Sequence, residues 1–343
     1  MNTPRTDIHP QSPPHGPVPG RERITRHVIA GEVEMAVSRY PGAGHPVLLI
    51  HGLGGHQRMW DPLVAALGDN EVITFDFPGL GRSHVAGVPQ TIPAFAELAL
   101  KIIDDLGYAQ VDVLGYSFGG MVAQQLTHAH PDRVRRLALV GTAPGVGMVP
   151  GYPSAMFALA TPLRYYSKRF YKWTNRFLAG GEIERDPAWM EYTSQVRKLY
   201  RPHPITYYSQ LIACQLFTSL RWLHTLQTPT LVVHGTDDPI IPVFNAELMA
   251  AHLPNARMFT AGTEGHLLMQ DEGSSSFPAI TSFFAQPDHR DSAGWKGGVE
   301  VTLDDLDEAE RRANLRAAQP MGLYHQVVRN SLRTADQLRK RVT

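Results

Sequence analysis

The chain reads as an α/β protein: a mostly parallel β-sheet flanked by helices on both faces, with a helical cap inserted between two of its strands. Three observations predict this. Short β-branched apolar runs alternate with helical patterns from residue 47 onward, and that alternation builds parallel sheets because each helix carries the chain back to the end where the next strand must start. A glycine-bounded turn, Gly115-Tyr116-Ser117-Phe118-Gly119-Gly120, sits directly between one such strand and one such helix. Between residues 144 and 225 the alternation stops, and this stretch holds 15 of the chain's 30 aromatic residues.

Taken in order, residues 1–23 are rich in proline and offer almost nothing apolar to bury, so they are expected to form a disordered arm. The first part of the body runs over 24–143. Residues 24–30 and 33–40 alternate in hydrophobicity around Gly31, the pattern of an antiparallel hairpin at one edge of the sheet. Strands follow at 47–50, 72–75, 111–114 and 134–140, with helices near 57–67, 92–106 and 118–130 between them. The cap spans 144–225. The body resumes over 226–286 with strands at 229–234 and 256–259, and residues 287–343 form a helical extension. There, Thr302 is suited to cap a helix whose first turn carries Asp304 and Asp305 and whose later turns carry Arg311, Arg312 and Arg316. A second stretch places Tyr324, Val327, Val328 and Leu332 at helical spacing amid Arg329, Arg333, Arg339, Lys340 and Arg341. Such a basic amphipathic helix suits a granule or membrane surface, and equally a dock on its own body or on a second copy of the chain.

Composition bounds the function. Lysine plus arginine equals aspartate plus glutamate at 32 each, so no global charge argues for a nucleic-acid partner. The single cysteine, Cys214, cannot form an intrachain disulfide and reads as a buried thiol in an apolar stretch. No apolar run reaches membrane-spanning length and the first 23 residues lack the hydrophobic segment of a secretory signal, so a cytoplasmic location is expected.

The chemistry is carried by the glycine-bounded turn. A serine between a strand and a helix, with Gly115 and Gly119 two residues to either side, has the form of a nucleophile elbow, and Ser117 is the candidate nucleophile. A serine hydroxyl needs an imidazole to take its proton and a carboxylate to orient that imidazole. Both occur downstream in the order Ser, Asp, His that α/β-hydrolases use. Asp238 follows the strand at 229–234, with Asp237 beside it as the alternative; His266 follows the strand at 256–259 and is preceded by Gly265. The oxyanion that forms on attack needs preorganised N–H donors, and these are assigned to Leu53, in His51-Gly52-Leu53-Gly54-Gly55 after the first parallel strand, and to Phe118. His51 is read as a brace of that loop rather than a second base. Residues 76–83 read as a structural turn. His128 and His130, two apart on a helix end, face different ways and make no metal pair. No metal or organic cofactor is called for.

The body and cap together resemble the intracellular depolymerases of medium-chain-length poly(3-hydroxyalkanoates), which have the α/β-hydrolase fold. The resemblance covers about residues 35–286. It rests on Phe75-Asp76-Phe77-Pro78-Gly79-Leu80-Gly81, Met148-Val149-Pro150-Gly151-Tyr152-Pro153, Thr161-Pro162-Leu163-Arg164-Tyr165-Tyr166, Arg185-Asp186-Pro187, Tyr207-Tyr208-Ser209-Gln210-Leu211, Trp222-Leu223-His224, Asp237-Asp238-Pro239-Ile240-Ile241-Pro242 and Leu253-Pro254-Asn255-Ala256. Phe118 stands where those depolymerases tend to carry tryptophan. The related polymer synthases carry cysteine at the elbow, so Ser117 points to hydrolysis. The resemblance implies a serine hydrolase that cleaves polyester through an acyl-serine, with granule or hydrophobic ester as substrate and contact made through the cap or the C-terminal helix. A carboxylesterase or lipase for smaller esters is the alternative, and a non-catalytic granule-binding protein a second one. The aromatic, basic cap, with ten lysines and arginines against four acids, fits an apolar substrate channel or an adhesive surface.

Overall fold

The computed structural model describes residues 18–30, 33–85, 89–181 and 187–306. Eight strands form one sheet: β1 (Ile24–Ala30), β2 (Val33–Tyr40), β3 (Gly44–Ile50), β4 (Asn70–Phe75), β5 (Val111–Tyr116), β6 (Val134–Val140), β7 (Thr230–His234) and β8 (Ala256–Thr260), in the spatial order β1-β2-β4-β3-β5-β6-β7-β8. β1 and β2 pair antiparallel, as does β2 with β4, and all other pairs are parallel. The edge hairpin and the parallel core are those the hydrophobic pattern predicts.

Strands with apolar side chains on both faces need cover on both. Along β3, Leu48 and Ile50 join a core with α2 (Ile92–Asp105), α3 (Phe118–Ala129) and α9 (Phe244–His252). Val47 and Leu49 point the other way, into a core with α1 (Asp61–Ala66) and α10 (Ser276–Ala285). The helix expected near 57–67 is broken: a 3-10 turn at Gln57–Trp60 precedes α1, whose Pro62 sits in the first turn where its missing N–H costs nothing.

Between β6 and β7 stand α4 (Pro153–Leu159), α5 (Leu163–Tyr166), α6 (Lys168–Asn175), α7 (Pro187–Leu199) and α8 (Pro204–Gln215), over the C-terminal ends of the parallel strands. The turn at 76–83 fastens this insertion to the sheet. Its Asp76 carboxylate accepts from the Gln57 backbone and side chain, at 2.7 and 2.8 Å, and from the Arg82 N–H. Gly79, at φ 75°, has the Thr206 side chain of α8 where a Cβ would stand, and its carbonyl accepts from the His203 N–H. His128 stacks on Trp222 while His130 reaches Glu97, so the two histidines have separate partners.

The N-terminal arm departs from expectation. The arm predicted to be disordered through residue 23 is already docked at Val18, which is buried. Arg21 donates to the Asn70 carbonyl at 2.7 Å and to the Gly68 carbonyl, satisfying acceptors where β4 begins; residues 1–17 lie outside the described residues. The extension from 287 is likewise held. Val299 pairs with Met258 of β8, and Trp295 of α11 (Ala293–Gly297) stacks on Phe283. Thr302 caps as expected, accepting from Asp305 N while the Asp305 carboxylate accepts from Thr302 N at 2.8 Å. The later basic helix falls outside the described residues. Cys214 is half-buried rather than buried, and desolvation pushes its thiol up to about 12. Among the described residues no helix is long and apolar enough to cross a membrane.

One buried ion pair ties two central strands. Asp112 of β5 is fully enclosed and meets Arg135 of β6, whose Nε donates to it at 2.8 Å; burial raises the carboxyl's pKa against the pull of Arg135. Replacing Arg135 with Met leaves that carboxylate alone in the core, and urea unfolding will show a loss of about 3–5 kcal/mol.

Candidate active site

The site begins where β5 meets α3. Ser117 has φ 55° and ψ −121°, and is the one non-glycine residue with positive φ among the described residues. Its backbone is held on three sides: its N–H donates to the Val140 carbonyl, and its carbonyl accepts from the Gly120 N–H and from Thr142 Oγ1 at 2.6 Å. Room for this turn requires glycine. A Cβ at Gly115 would stand 2.5 Å from the Gly119 carbonyl, one at Gly119 2.1 Å from the Ile50 carbonyl, and one at Gly120 2.3 Å from the Thr142 hydroxyl. The last of these constraints was not argued from the sequence.

The turn delivers Ser117 Oγ to His266 Nε2 at 3.1 Å, and His266 Nδ1 lies 2.6 Å from Asp238 Oδ2. All three residues are buried. The other Asp238 oxygen accepts from the Ile240 and Ile241 N–H groups, each at 2.9 Å, which fixes the carboxylate's rotation. Burial works against ionisation of Asp238, but His266 and His234 hold its carboxyl well below the ordinary range. His234 Nε2 donates to the Ile241 carbonyl and stands 3.4 Å from Asp238. Asp237, the alternative acid, is exposed and points away, its N–H bonded to the Glu264 carbonyl.

The loop after β3 packs against the elbow, a Cβ at Gly52 meeting the Ser117 Cβ at 3.2 Å. Phe118 is the first residue of α3, where helix geometry leaves the N–H without an intrahelical acceptor. Its ring packs in the core on Phe77 and Phe95. His51 is buried against Phe75 and Phe77, with Nδ1 3.0 Å from the Gly52 carbonyl, and burial lowers its pKa. It braces the loop from inside the core, away from Ser117.

The cap grips this same loop. Tyr165 Oη donates to the Leu53 carbonyl at 2.9 Å, and the Gly54 N–H donates to Gln210 Oε1 at 2.9 Å. Arg164, buried, donates to the Tyr165 and Tyr207 hydroxyls and so locks the phenols in place. The cap also holds the histidine: the His266 N–H donates to the Ala179 carbonyl at 2.7 Å, while Tyr116 Oη donates to the His266 carbonyl at 2.6 Å. Between cap and body lies a cavity of about 870 Å³ with Ser117 and His266 in its wall, along with apolar Met59, Leu159, Leu178 and Phe277. A serine activated in this way, facing a mostly apolar cavity, can attack a carbonyl carbon bound there.

Residues 45–273 match the sequence profile of the family described as alpha/beta hydrolase fold. The chain belongs to the α/β-hydrolase family. This α/β-hydrolase is similar to the poly(3-hydroxyalkanoate) depolymerase of Ectopseudomonas oleovorans, with 39% identity over 254 residues that cover 73% of this chain and 88% of the relative. It is also similar to a pimeloyl-[acyl-carrier protein] methyl ester esterase of Nitrosomonas europaea, at 28% identity over 70% of this chain and 96% of that one. Among solved structures, an esterase from Exiguobacterium antarcticum superposes with a TM-score of 0.67 at 19% identity, over 77% of this chain and all of that one, a likeness of fold.

The sequence reading missed Tyr116, Ala179, Tyr165, Gln210 and His234. The first two act through a hydroxyl and a carbonyl that carry no motif, and Tyr165 and Gln210 reach Leu53 and Gly54 from more than a hundred residues away. Two tests follow from the geometry. In Tyr165→Phe the Leu53 carbonyl loses its tether, and steady-state kinetics on a soluble ester will show kcat about tenfold lower with KM less affected, the worth of one buried hydrogen bond. Asp61, in the cavity wall, has its carboxyl pushed up to about 6 by burial despite Arg58 at 2.8 Å. The folded state therefore holds that proton more tightly than the unfolded chain, so this group's contribution to stability falls as pH rises from about 4 to about 6. Asp61→Asn will flatten the slope of Tm against pH across that window.

Proposed function

We propose that this chain is a serine hydrolase that cleaves the ester bonds of intracellular poly(3-hydroxyalkanoate), of the medium-chain-length kind, to 3-hydroxy acids or short oligomers. The observation that carries the reading is the unbroken relay from Ser117 through His266 to Asp238 in the wall of a large, mostly apolar cavity. Similarity to a poly(3-hydroxyalkanoate) depolymerase supports the polymer as substrate.

In this mechanism His266 takes the proton of Ser117 as its Oγ attacks the ester carbonyl. The N–H groups of Leu53 and Phe118 receive the oxyanion, and Asp238 stabilises the imidazolium. Collapse expels the alcohol, protonated by His266, and leaves an acyl-serine. Water deprotonated by the same histidine then releases the acid. No metal or organic cofactor takes part.

Contact with the polymer surface is assigned to the cap. Of the chain's 16 exposed large hydrophobic side chains among the described residues, 11 lie between 144 and 225, including Tyr152, Phe157, Trp173, Ile205 and Leu216. Phe157, Phe170 and Phe177 cluster around Trp173 on α6, with Arg176 over two of the rings. Exposed aromatics bounded by cations suit adhesion to an apolar, weakly charged solid. A second reading, a carboxylesterase for smaller esters, is favoured by the cap's hydrogen bond to His266, which keeps the cavity roofed.

Acid release should be measured from amorphous medium-chain-length polyester granules and from a soluble short-chain ester, with Ser117→Ala alongside. The depolymerase reading expects serine-dependent release from granules, reduced at least about 10⁴-fold in the variant. Release confined to the soluble ester selects the esterase, and granule binding with neither activity selects a scaffold.

A further inference from the structure

We propose that Arg197, set against the rings of Tyr165 and Tyr171, is a carboxylate-binding subsite in the cap wall of the cavity, by which the enzyme engages polyester from its free-acid end. The proposal rests on the depolymerase reading and adds to it a mode of attack.

In the cavity wall Arg58 pairs with Asp61, while the wall's other carboxylates, Asp271 and Glu272, are half-buried and exposed respectively and form no ion pair with either remaining arginine. Those two are Arg164 and Arg197. Arg164 is buried and its donors reach only neutral phenols, Tyr207 Oη at 2.7 Å and Tyr165 Oη at 3.1 Å, each of which donates its own hydrogen bond to a carbonyl. The Arg197 guanidinium lies 5.5 Å from the Tyr165 ring centre and 5.2 Å from that of Tyr171, and its buried Nε has no acceptor. Among the described residues, neither arginine is within ion-pair distance of a carboxylate. Both line the cavity that holds Ser117.

A guanidinium keeps its charge under all ordinary conditions, and even half-burying one, as at Arg197, without an anion carries a desolvation cost. Contacts to tyrosine rings offset only part of that cost. Such a group is poised for an anion, and its planar fork matches the two oxygens of a carboxylate. A polyester of hydroxy acids carries one free carboxylate per chain, at its end, and none within it. With that end at Arg197, Ser117 Oγ attacks the carbonyl of the ester bond that precedes the terminal piece. The carbon–oxygen bond breaks, the departing alkoxide takes its proton from His266, and the terminal piece leaves as a hydroxy acid. The rest of the chain stays on Ser117 until water releases it with a new free carboxylate. Each turnover thus regenerates the group that Arg197 recognises.

The test compares two soluble substrates, the ester-linked dimer of 3-hydroxyoctanoic acid with a free carboxyl end and the same dimer capped there as a primary amide. Wild type is expected to favour the free acid in kcat/KM, mainly through KM, by on the order of tenfold to a hundredfold, the range for a hydrogen-bonded charge. Arg197→Gln is expected to lose at least about tenfold of that ratio, and Arg197→Lys to regain part of it. Equal handling of the two dimers by wild type, or a ratio that survives in Arg197→Gln, overturns the proposal. A variant that does not fold is replaced by competition on wild type, where 3-hydroxyoctanoate must inhibit more strongly than 3-hydroxyoctanamide; equal inhibition overturns the subsite. Should wild type cleave neither dimer, the granule assay alone decides the depolymerase reading. The subsite is then decided by whether 3-hydroxyoctanoate, and not its amide, raises Tm.

Discussion

The structure turns on the backbone of a single residue. Ser117 is held at a positive φ that side chains other than glycine's seldom adopt, and such strain persists only where the surroundings over-determine it. Here they do: a carbonyl from β6 accepts from its N–H, Thr142 and Gly120 donate to its carbonyl, and Gly115, Gly119 and Gly120 let β5, the end of β3 and the Thr142 side chain close against α3. The sheet order matters for the same reason. Because β3 lies beside β5, the loop carrying Leu53 ends next to the serine, and because β7 and β8 follow β6, Asp238 and His266 arrive from the other side.

The cap supplies a second layer of constraint. It touches the site through atoms that do no chemistry: the Tyr165 hydroxyl, the Gln210 amide oxygen and the Ala179 carbonyl. Each satisfies a backbone group of a loop that would otherwise be free to relax, and buried backbone polar groups rarely go unpaired. The cap therefore shapes the loop at residues 52–55 and the position of His266, in addition to lining the cavity. Its aromatics divide accordingly. Tyr165, Tyr171 and Tyr207 are buried at the inner face, and Tyr152, Phe157 and Trp173 stand in solvent at the outer one.

The strands were legible because apolar runs bounded by turn residues leave few other ways to bury them, and the chain of Ser117, His266 and Asp238 was legible because each of the three follows a strand in a fixed order. Choosing Asp238 over Asp237 was a matter of loop direction, and the two N–H groups of Ile240 and Ile241 explain it: they turn one carboxylate inward and leave its neighbour in water. Composition misled at the N-terminus. A proline-rich segment has little to bury on average, yet Val18 and Arg21 find a cleft and a row of carbonyls on an already folded sheet. The tethers from the cap were invisible because they join ordinary residues across long separations, which no local pattern encodes.

The seam between cap and body limits how the cap of this protein can be redesigned. Gly180 and Gly181, both at positive φ, lie against the loop that presents His266; a Cβ at Gly180 would stand 2.2 Å from the Asp237 carbonyl, and one at Gly265 2.1 Å from that of Ala179. The contact is main chain against main chain, so no side-chain substitution can retune it, and a bulkier residue on either side would wedge it apart. A cap grafted onto this body must therefore bring glycine to positions 180 and 181. Exposed side chains on the outer helices, such as Phe157 and Trp173, can change without touching that join.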